Sequence, residues 1–381
     1  MDFQLSDLER HWHDSAVDFA RTRLSDDVRD RDERREFWRE GWDRCAEFGI
    51  LGLPVPADYG GRGLDLSTTI AAMEGLGYAC PDGGLLFAVN ACLWTVVLPI
   101  LRFGTVEQRR RFLPPLCEGR TIGANAASET GAGSDVFSMK TSATRGADGW
   151  VLNGRKTWCT AATVADLFVL FAATDPERRA LGVSAFLVPA DTPGLRVLRE
   201  VPKMGTRTAP MGEVELVDCR LPADALLGRE HRGAEVFQAA LEWERGGILS
   251  PALGTMRRQL ERCVEHARKR EQFGQPIGKF QAVSHKIVDM SIRLETARLM
   301  VRKYAWKKDR GEDAATEASM AKVHVADTFI ANSLAAVQVF GASGYAVETG
   351  LERDLRDSVG ATIYSGTSEV QRNILARRLG L

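Results

Sequence analysis

A glutamate stands where the spacing of its neighbours asks for an apolar side chain. Phe237, Leu241, Glu244 and Ile248 follow one another at steps of four, three and four, the repeat that gathers residues onto one face of an α-helix. Glu244 therefore falls on an apolar stripe, whereas Glu242 lies about 160° away round the helical wheel. A carboxylate turned toward an apolar interior pairs with a cation, bends back to solvent, or has its pKa raised, and the last makes it a candidate general base. Periodicity does not choose among the three. The following RGGILSP carries two glycines and a proline, which suggests a loosened helix with room for a ligand beside the carboxylate.

Two further stretches are rich in groups that bind polar ligands. In NAASETGAGSDVFSMKTSA (Asn125 to Ala143), Gly131 and Gly133 leave backbone amides bare beside Ser128, Thr130 and Ser134, a composition suited to phosphate. The spacing is not G-x-G-x-x-G and no βαβ unit surrounds it, so an ordinary surface turn reads equally well. GATIYSGTSEVQRN, residues 360–373, packs small hydroxyl-bearing residues into a turn near the C-terminus. It is either a solvated loop or the seat of a bound polar group.

The elements that must position these residues divide into three zones. Ser6 and Glu9 form a capping-box signature, and Leu5, Leu8, Trp12, Ala16 and Phe19 continue at helical spacing, predicting a helix with one apolar face. The Leu85 to Leu101 run, interrupted by Asn90, Thr95 and Pro99, reads as a buried helix rather than a membrane span. From about residue 121 to 228 short β-branched runs broken by Pro and Gly predict a β-domain of sandwich or barrel type. Asn153-Gly154, between two such runs, predicts a two-residue hairpin turn. Beyond it, Val283, Ile287, Met290, Leu294, Ala297, Val301 and Tyr304 alternate steps of four and three, the seam of a helical bundle. The expected domains are 1–120 helical, 121–228 β and 229–381 a four-helix bundle.

The 381-residue chain carries 50 Lys plus Arg against 51 Asp plus Glu, which argues against a nucleic-acid surface and favours a small-molecule partner. Seven scattered cysteines with no C-x-x-C point to neither a disulfide framework nor a metal site, and a reducing cytoplasm is expected. The N-terminal residues are polar within a few positions and lack the apolar core of a signal peptide. No membrane association is expected.

SETGAGSD, NGRKTWCTAATVADLF, RKREQFGQPIGKFQAVSHKI, VQVFGASGY and IYSGTSEVQRNILARRLG, in this order, resemble the acyl-CoA dehydrogenase family across essentially the whole chain. The resemblance implies an α+β multi-domain fold with an N-terminal helical domain, a middle antiparallel β-domain and a C-terminal four-helix bundle. It also implies FAD, a homotetramer built as a dimer of dimers, and α,β-dehydrogenation of an acyl thioester. By the same resemblance Ser128 lies near the pyrimidine edge of the flavin and Ser134 contacts the diphosphate. Trp158 and Thr160 lie against the isoalloxazine ring. Arg270, Gln272, Phe273, Gln338 and Gly341 reach the FAD of a neighbouring subunit, and Thr367 and Glu369 contact FAD across the GTSE turn.

One departure matters most. Many family members place their catalytic glutamate immediately before the Gly-Thr of the last motif, and here that residue is Ser365. A serine without a partnered base is far too weak for the task. A minority branch carries its base on the first long bundle helix before an arginine, and that position here is Glu244, followed by Arg245 as a supporting cation. The resemblance leaves to Ser365 the backbone N–H that polarises the thioester carbonyl. Thr130, where proline is usual, and Asn125, where an aromatic residue is frequent, are smaller departures.

The sequence thus leads to a flavin-dependent dehydrogenase of acyl-CoA or of acyl or aminoacyl carrier protein, with an electron-transfer flavoprotein or O₂ as electron acceptor. Glu244 beside SGTS most resembles enzymes that oxidise carrier-tethered prolyl groups. A flavin-dependent oxidase or N-oxygenase on the same fold is the first alternative, because it needs no base at Glu244. A non-catalytic flavin-binding subunit is the second.

Overall fold

The first helix starts where its cap predicts. Ser6 accepts from the Glu9 N–H at 3.3 Å and the Glu9 carboxylate accepts from the Ser6 N–H at 2.6 Å, closing a reciprocal cap on α1 (Asp7–Arg23). The computed structural model describes residues 4–25 and 28–381. The buried face of α1 is His13, Ala16, Val17 and Ala20, rotated from the expected one, and Leu8 is half exposed. Helices α2 (Arg29–Arg34), α3 (Arg39–Phe48), α4 (Leu66–Ala79), α5 (Gly83–Cys92), α6 (Leu98–Phe103) and α7 (Val106–Cys117) complete the first zone. A π-turn over Leu93–Val97 joins α5 to α6, and the combined Gly83–Phe103 segment is apolar and long enough to span a bilayer but mostly buried in the interior.

The middle zone is one eight-stranded sheet. Its strands are β1 (Gly123–Ala126), β2 (Ser142–Arg145), β3 (Gly149–Thr160), β4 (Leu167–Ala173), β5 (Val183–Pro189), β6 (Leu195–Glu200), β7 (Met211–Pro222) and β8 (Leu226–Leu227). They run in the order β6-β7-β3-β2-β4-β5-β8, with β1 paired to β4. Pairings are antiparallel except β1 with β4 and β2 with β4, which are parallel. β4 and β5, buried almost throughout, carry the sheet core.

The hairpin expected at Asn153-Gly154 does not form. Both residues lie inside β3, where the register against β7 shifts between Leu152 and Gly154, so the pair makes a bulge. Two long-range contacts decide the outcome: the Asn153 side chain bonds the Asp218 N–H and carboxylate at 2.8 and 3.2 Å. Gly154, at φ 146, also lies so close to Thr141 that a Cβ would sit 2.5 Å from its hydroxyl. The chain reverses earlier, where the Gly146 N–H donates to the Gly149 carbonyl.

The C-terminal zone packs α8 (Gly233–Gly247), α9 (Ser250–Lys269), α10 (Gln281–Asp309) and α11 (Ala315–Phe340) against one another. A short hairpin of β9 (Glu271–Gln272) and β10 (Gln275–Pro276) projects between α9 and α10. Helices α12 (Ala342–Tyr345), α13 (Leu351–Gly360) and α14 (Ser368–Arg378) close the chain. Met290, Leu294, Ala297, Val301 and Tyr304 form the buried face of α10, the inner part of the expected seam. Gly246 and Gly247 leave no space for a ligand, in contrast to the sequence expectation. A Cβ on Gly246 would meet the Tyr304 ring at 1.9 Å, and one on Gly247 the Trp94 ring at 2.6 Å, so these glycines admit two aromatic rings against α8.

A buried ion pair ties the glycine-rich turn to the sheet. Lys156, almost fully buried, donates to Glu129 Oε1 and to the Ala127 carbonyl at 3.0 Å each. Glu129 also accepts the Lys140 and Thr141 N–H groups at 2.7 and 2.9 Å. Burial raises the Glu129 pKa, but the Lys156 charge and these donors outweigh it and leave it below the usual carboxylate range. Glu129→Ala strands a buried ammonium and should cost about 3 to 5 kcal/mol. Equilibrium denaturation reads this, and a change under about 1 kcal/mol, the scale of exposed pairs, contradicts it.

Candidate active site

A cavity of about 1060 Å³ opens between the sheet, α5, α8 and the turn linking α13 to α14, large enough for a substantial cofactor together with a substrate. Glu244 is on its wall and 8% exposed. Burial raises its pKa to about 7, opposed by the Ser365 hydroxyl and by the charges of Arg245 and Lys322. Among the described residues no cation lies within salt-bridge distance of its carboxylate, and the neighbouring Glu242 is the one that pairs, with Lys308. Of the three outcomes open to the sequence, the carboxylate thus takes the raised pKa, poised to exchange a proton near neutrality.

The turn opposite is held open by strain and by side chains behind it. Ser365 adopts φ 61, costly for a residue other than glycine. Gln371 Nε2 donates to the Ser365 and Gly366 carbonyls at 3.2 and 3.1 Å, and Thr367 caps α14 by accepting the Val370 N–H. Among the described residues no hydrogen bond takes the Ser365 N–H. Its hydroxyl is buried beside Glu244 without a well-formed hydrogen bond. Arg245 lines the cavity with its Nε buried and unpartnered.

Trp158 forms another wall. A register shift between Lys156 and Cys159 and φ 59 at Trp158 turn the ring into the cavity, where it is 56% exposed. Bulges of this kind re-aim side chains beside active sites. Thr160, Asn125, Ser128 and Ser134 line the same cavity. Gly131 and Gly133 have no atom within 4 Å of where a Cβ would stand. A flat ring face, hydroxyls and an open glycine turn fit the tricyclic ring and diphosphate of FAD.

The structure brings together Glu244, Arg245, Ser365, Thr367, Ser128, Ser134, Trp158 and Thr160 on one cavity. It does not bring the remainder there. Arg270, Gln272 and Phe273 are exposed on or beside the β9-β10 hairpin, with Phe273 at φ 52 and 94% exposed. Gln338 and Gly341 are exposed at the end of α11, and Glu369 is exposed on the first turn of α14.

Two polar residues escaped the sequence reading. Lys322, 1% exposed on α11, donates to the Ala361 carbonyl and lies 5.4 Å from the Tyr364 ring centre. Burial lowers its pKa to about 8, against the pull of Glu244. It shares a face with the buried Ala318, Val325 and Phe329, so the periodicity that exposed Glu244 marks it too. Asp357 on α13 lines the cavity and accepts the Thr206 N–H; burial raises its pKa to about 7, with Asp354 and Asp32 adding to the rise.

A helical domain, a mixed sheet and a helical bundle enclosing a buried near-neutral carboxylate and an open aromatic face define a flavin-type oxidoreductase. Residues 6–120, 124–219 and 231–380 match the N-terminal, middle and C-terminal domain models of acyl-CoA dehydrogenase. The chain belongs to the acyl-CoA dehydrogenase family, FAD-dependent oxidoreductases that act on CH–CH groups of thioesters. It is 44% identical to the L-prolyl-[peptidyl-carrier protein] dehydrogenase of Pseudomonas fluorescens over 91% of this chain and 92% of that one. Its structure is similar to that of the prolyl acyl carrier protein oxidase AnaB, with TM-score 0.98 and 44% identity over 99% and 100% of the two chains. It is also similar to PigA with FAD and proline, with TM-score 0.98 and 38% identity over the whole of both chains.

The raised pKa of Glu244 has a stability consequence. Between the ordinary glutamate value of 4.5 and about 7, the folded protein holds a proton that the unfolded chain has released, so stability falls as pH rises through that window. Glu244→Gln should remove that loss. Its melting temperature should gain on the parent's from about pH 5 to 8, and parallel curves contradict the assignment.

Proposed function

We propose that Glu244 is the base that removes the α-proton of the thioester substrate, and that this substrate is a compact, prolyl-type aminoacyl group carried on the phosphopantetheine arm of a carrier protein. The observation that carries the first half is the burial of Glu244 on the cavity wall at a pKa near 7. The second half rests on the likeness to prolyl-carrier dehydrogenases over almost the whole chain.

FAD, when bound, supplies the two-electron oxidant that accepts the β-hydrogen as hydride. Glu244 takes the α-proton onto its carboxylate, so the CH–CH bond becomes C=C. Lys322 and Arg245 hold positive charge near the carboxylate and favour its ionised form before the proton arrives. The free Ser365 N–H donates to the thioester oxygen as charge gathers there, the task of an oxyanion donor. Trp158 offers its ring face to the flavin, and Ser128, Thr160 and Thr367 offer hydroxyls around it. Ser134 and the open turn at Gly131 and Gly133 suit the diphosphate.

Arg270, Gln272, Phe273, Gln338 and Gly341 serve a neighbouring subunit's FAD in this reading, and Glu369 borders the cofactor from outside the cavity. Their exposure away from their own cavity supports a homotetramer assembled as a dimer of dimers. Electrons pass on to an electron-transfer flavoprotein or to O₂. Seven free, buried cysteines fit a reducing cytoplasm.

Anaerobic titration of the yellow protein with acyl-CoA and acyl-carrier thioesters tests this. The prolyl carrier should bleach the flavin and prolyl-CoA should not, and equal use of both contradicts the tether. Glu244→Gln should slow bleaching by about 10²- to 10⁴-fold. Unaltered reduction in that variant, with N-oxygenated product from reduced protein and O₂, would assign the chain to the oxygenase alternative.

A further inference from the structure

Behind the main cavity lies a second one of about 50 Å³. Phe87, Thr206, Asp357 and Tyr364 face both. Phe87 and Tyr364 pack ring to ring with centroids 4.6 Å apart, and Asp357 accepts the Thr206 N–H. These two contacts, one aromatic and one polar, form the wall between the cavities.

The two sides of the wall differ. In front, Ala88, Ala91 and Thr95 line the same cavity as Glu244, with Phe87 in its wall. Behind, Leu86, Ile248, Leu249, Ala252 and Phe329 supply apolar lining, and Arg258 and Asp354, paired with each other at 3.5 Å, line the same cavity. Phe87 is 8% exposed, and the Lys322 ammonium lies over the Tyr364 ring. The small residues in front give width for a ring, and the aromatic pair denies length to a chain.

We propose that the Phe87–Tyr364 pair is a specificity-determining partition that confines the acyl group to a compact ring, and that the rear cavity is a latent extension able to take the end of a linear acyl chain once Phe87 is removed. The proposal rests on the thioester reading of the main cavity. It assigns Phe87 a selective role with no part in the proton transfer. Tyr364 also packs beside the Ser365 turn, so Phe87 is the residue that can be changed without moving the base.

The test uses the flavin-loaded protein and carrier-protein thioesters with prolyl and with straight butyryl, hexanoyl and octanoyl groups, reading affinity by calorimetry and flavin reduction by anaerobic bleaching. In the parent, affinity should stop rising beyond butyryl. In Phe87→Ala it should continue to rise, by about 15-fold for each two added methylenes, the fold-change equivalent to about 0.8 kcal/mol per buried CH₂. Phe87→Leu should give an intermediate gain and serves if the alanine variant does not fold. An unchanged order of affinities in a folded, flavin-loaded variant overturns the partition. A prolyl carrier thioester that bleaches no flavin in the parent overturns the dehydrogenase reading, while the partition still stands or falls on the affinities of the straight-chain thioesters.

Discussion

The site depends on one electrostatic constraint: the Glu244 carboxylate is taken out of water without a direct ionic partner among the described residues. Desolvation alone would favour the neutral acid strongly, whereas the nearby charges of Arg245 and Lys322 and the Ser365 hydroxyl draw it back. The balance leaves the group near neutrality, the condition under which a carboxylate both accepts and releases a proton readily. A tighter salt bridge would have made Glu244 a permanent anion. An apolar surround without the two cations would have kept it protonated.

Much of the architecture supports that balance. Tyr304 and Trp94 press against Gly246 and Gly247 and fix the end of α8 immediately after Glu244. Lys322 joins α11 to the Ala361 carbonyl, so the cation near Glu244 also anchors the segment leading to Ser365. Gln371 pins that turn from below. Across the cavity, the Lys156–Glu129 pair ties the glycine-rich turn to the strand that presents Trp158. Glu244 and Ser365 thus come from the C-terminal zone and Trp158 from the middle one, with buried charged or amide side chains holding the segments between them.

Legibility in the sequence followed the range of the interactions. Glu244 was readable because a helix repeats locally, and Lys322 was equally readable by the same period. Asn153-Gly154 misled because its dipeptide preference is local, while Asp218 and Thr141, which bind and crowd it, are remote in sequence. Gly246 and Gly247 were legible as unusual but not as seats for Tyr304 and Trp94, since only the fold brings those rings to α8. The hairpin residues Arg270, Gln272 and Phe273 carry no local mark of a role and gained one only through resemblance. Phe87 and Tyr364 meet from the first and last zones of the chain, and no pattern in either segment announces the contact.

The central claim is that Glu244 is a neutral acid below, and an anion above, a pH close to 7. Infrared difference titration of the parent against Glu244→Gln reads this directly, because subtraction removes Asp357, which titrates in the same range. A protonated-carboxyl stretch assigned to Glu244 should persist through pH 5 and 6 and vanish around about pH 7. A carboxylate already ionised at about pH 5, as for an ordinary glutamate, would contradict the account.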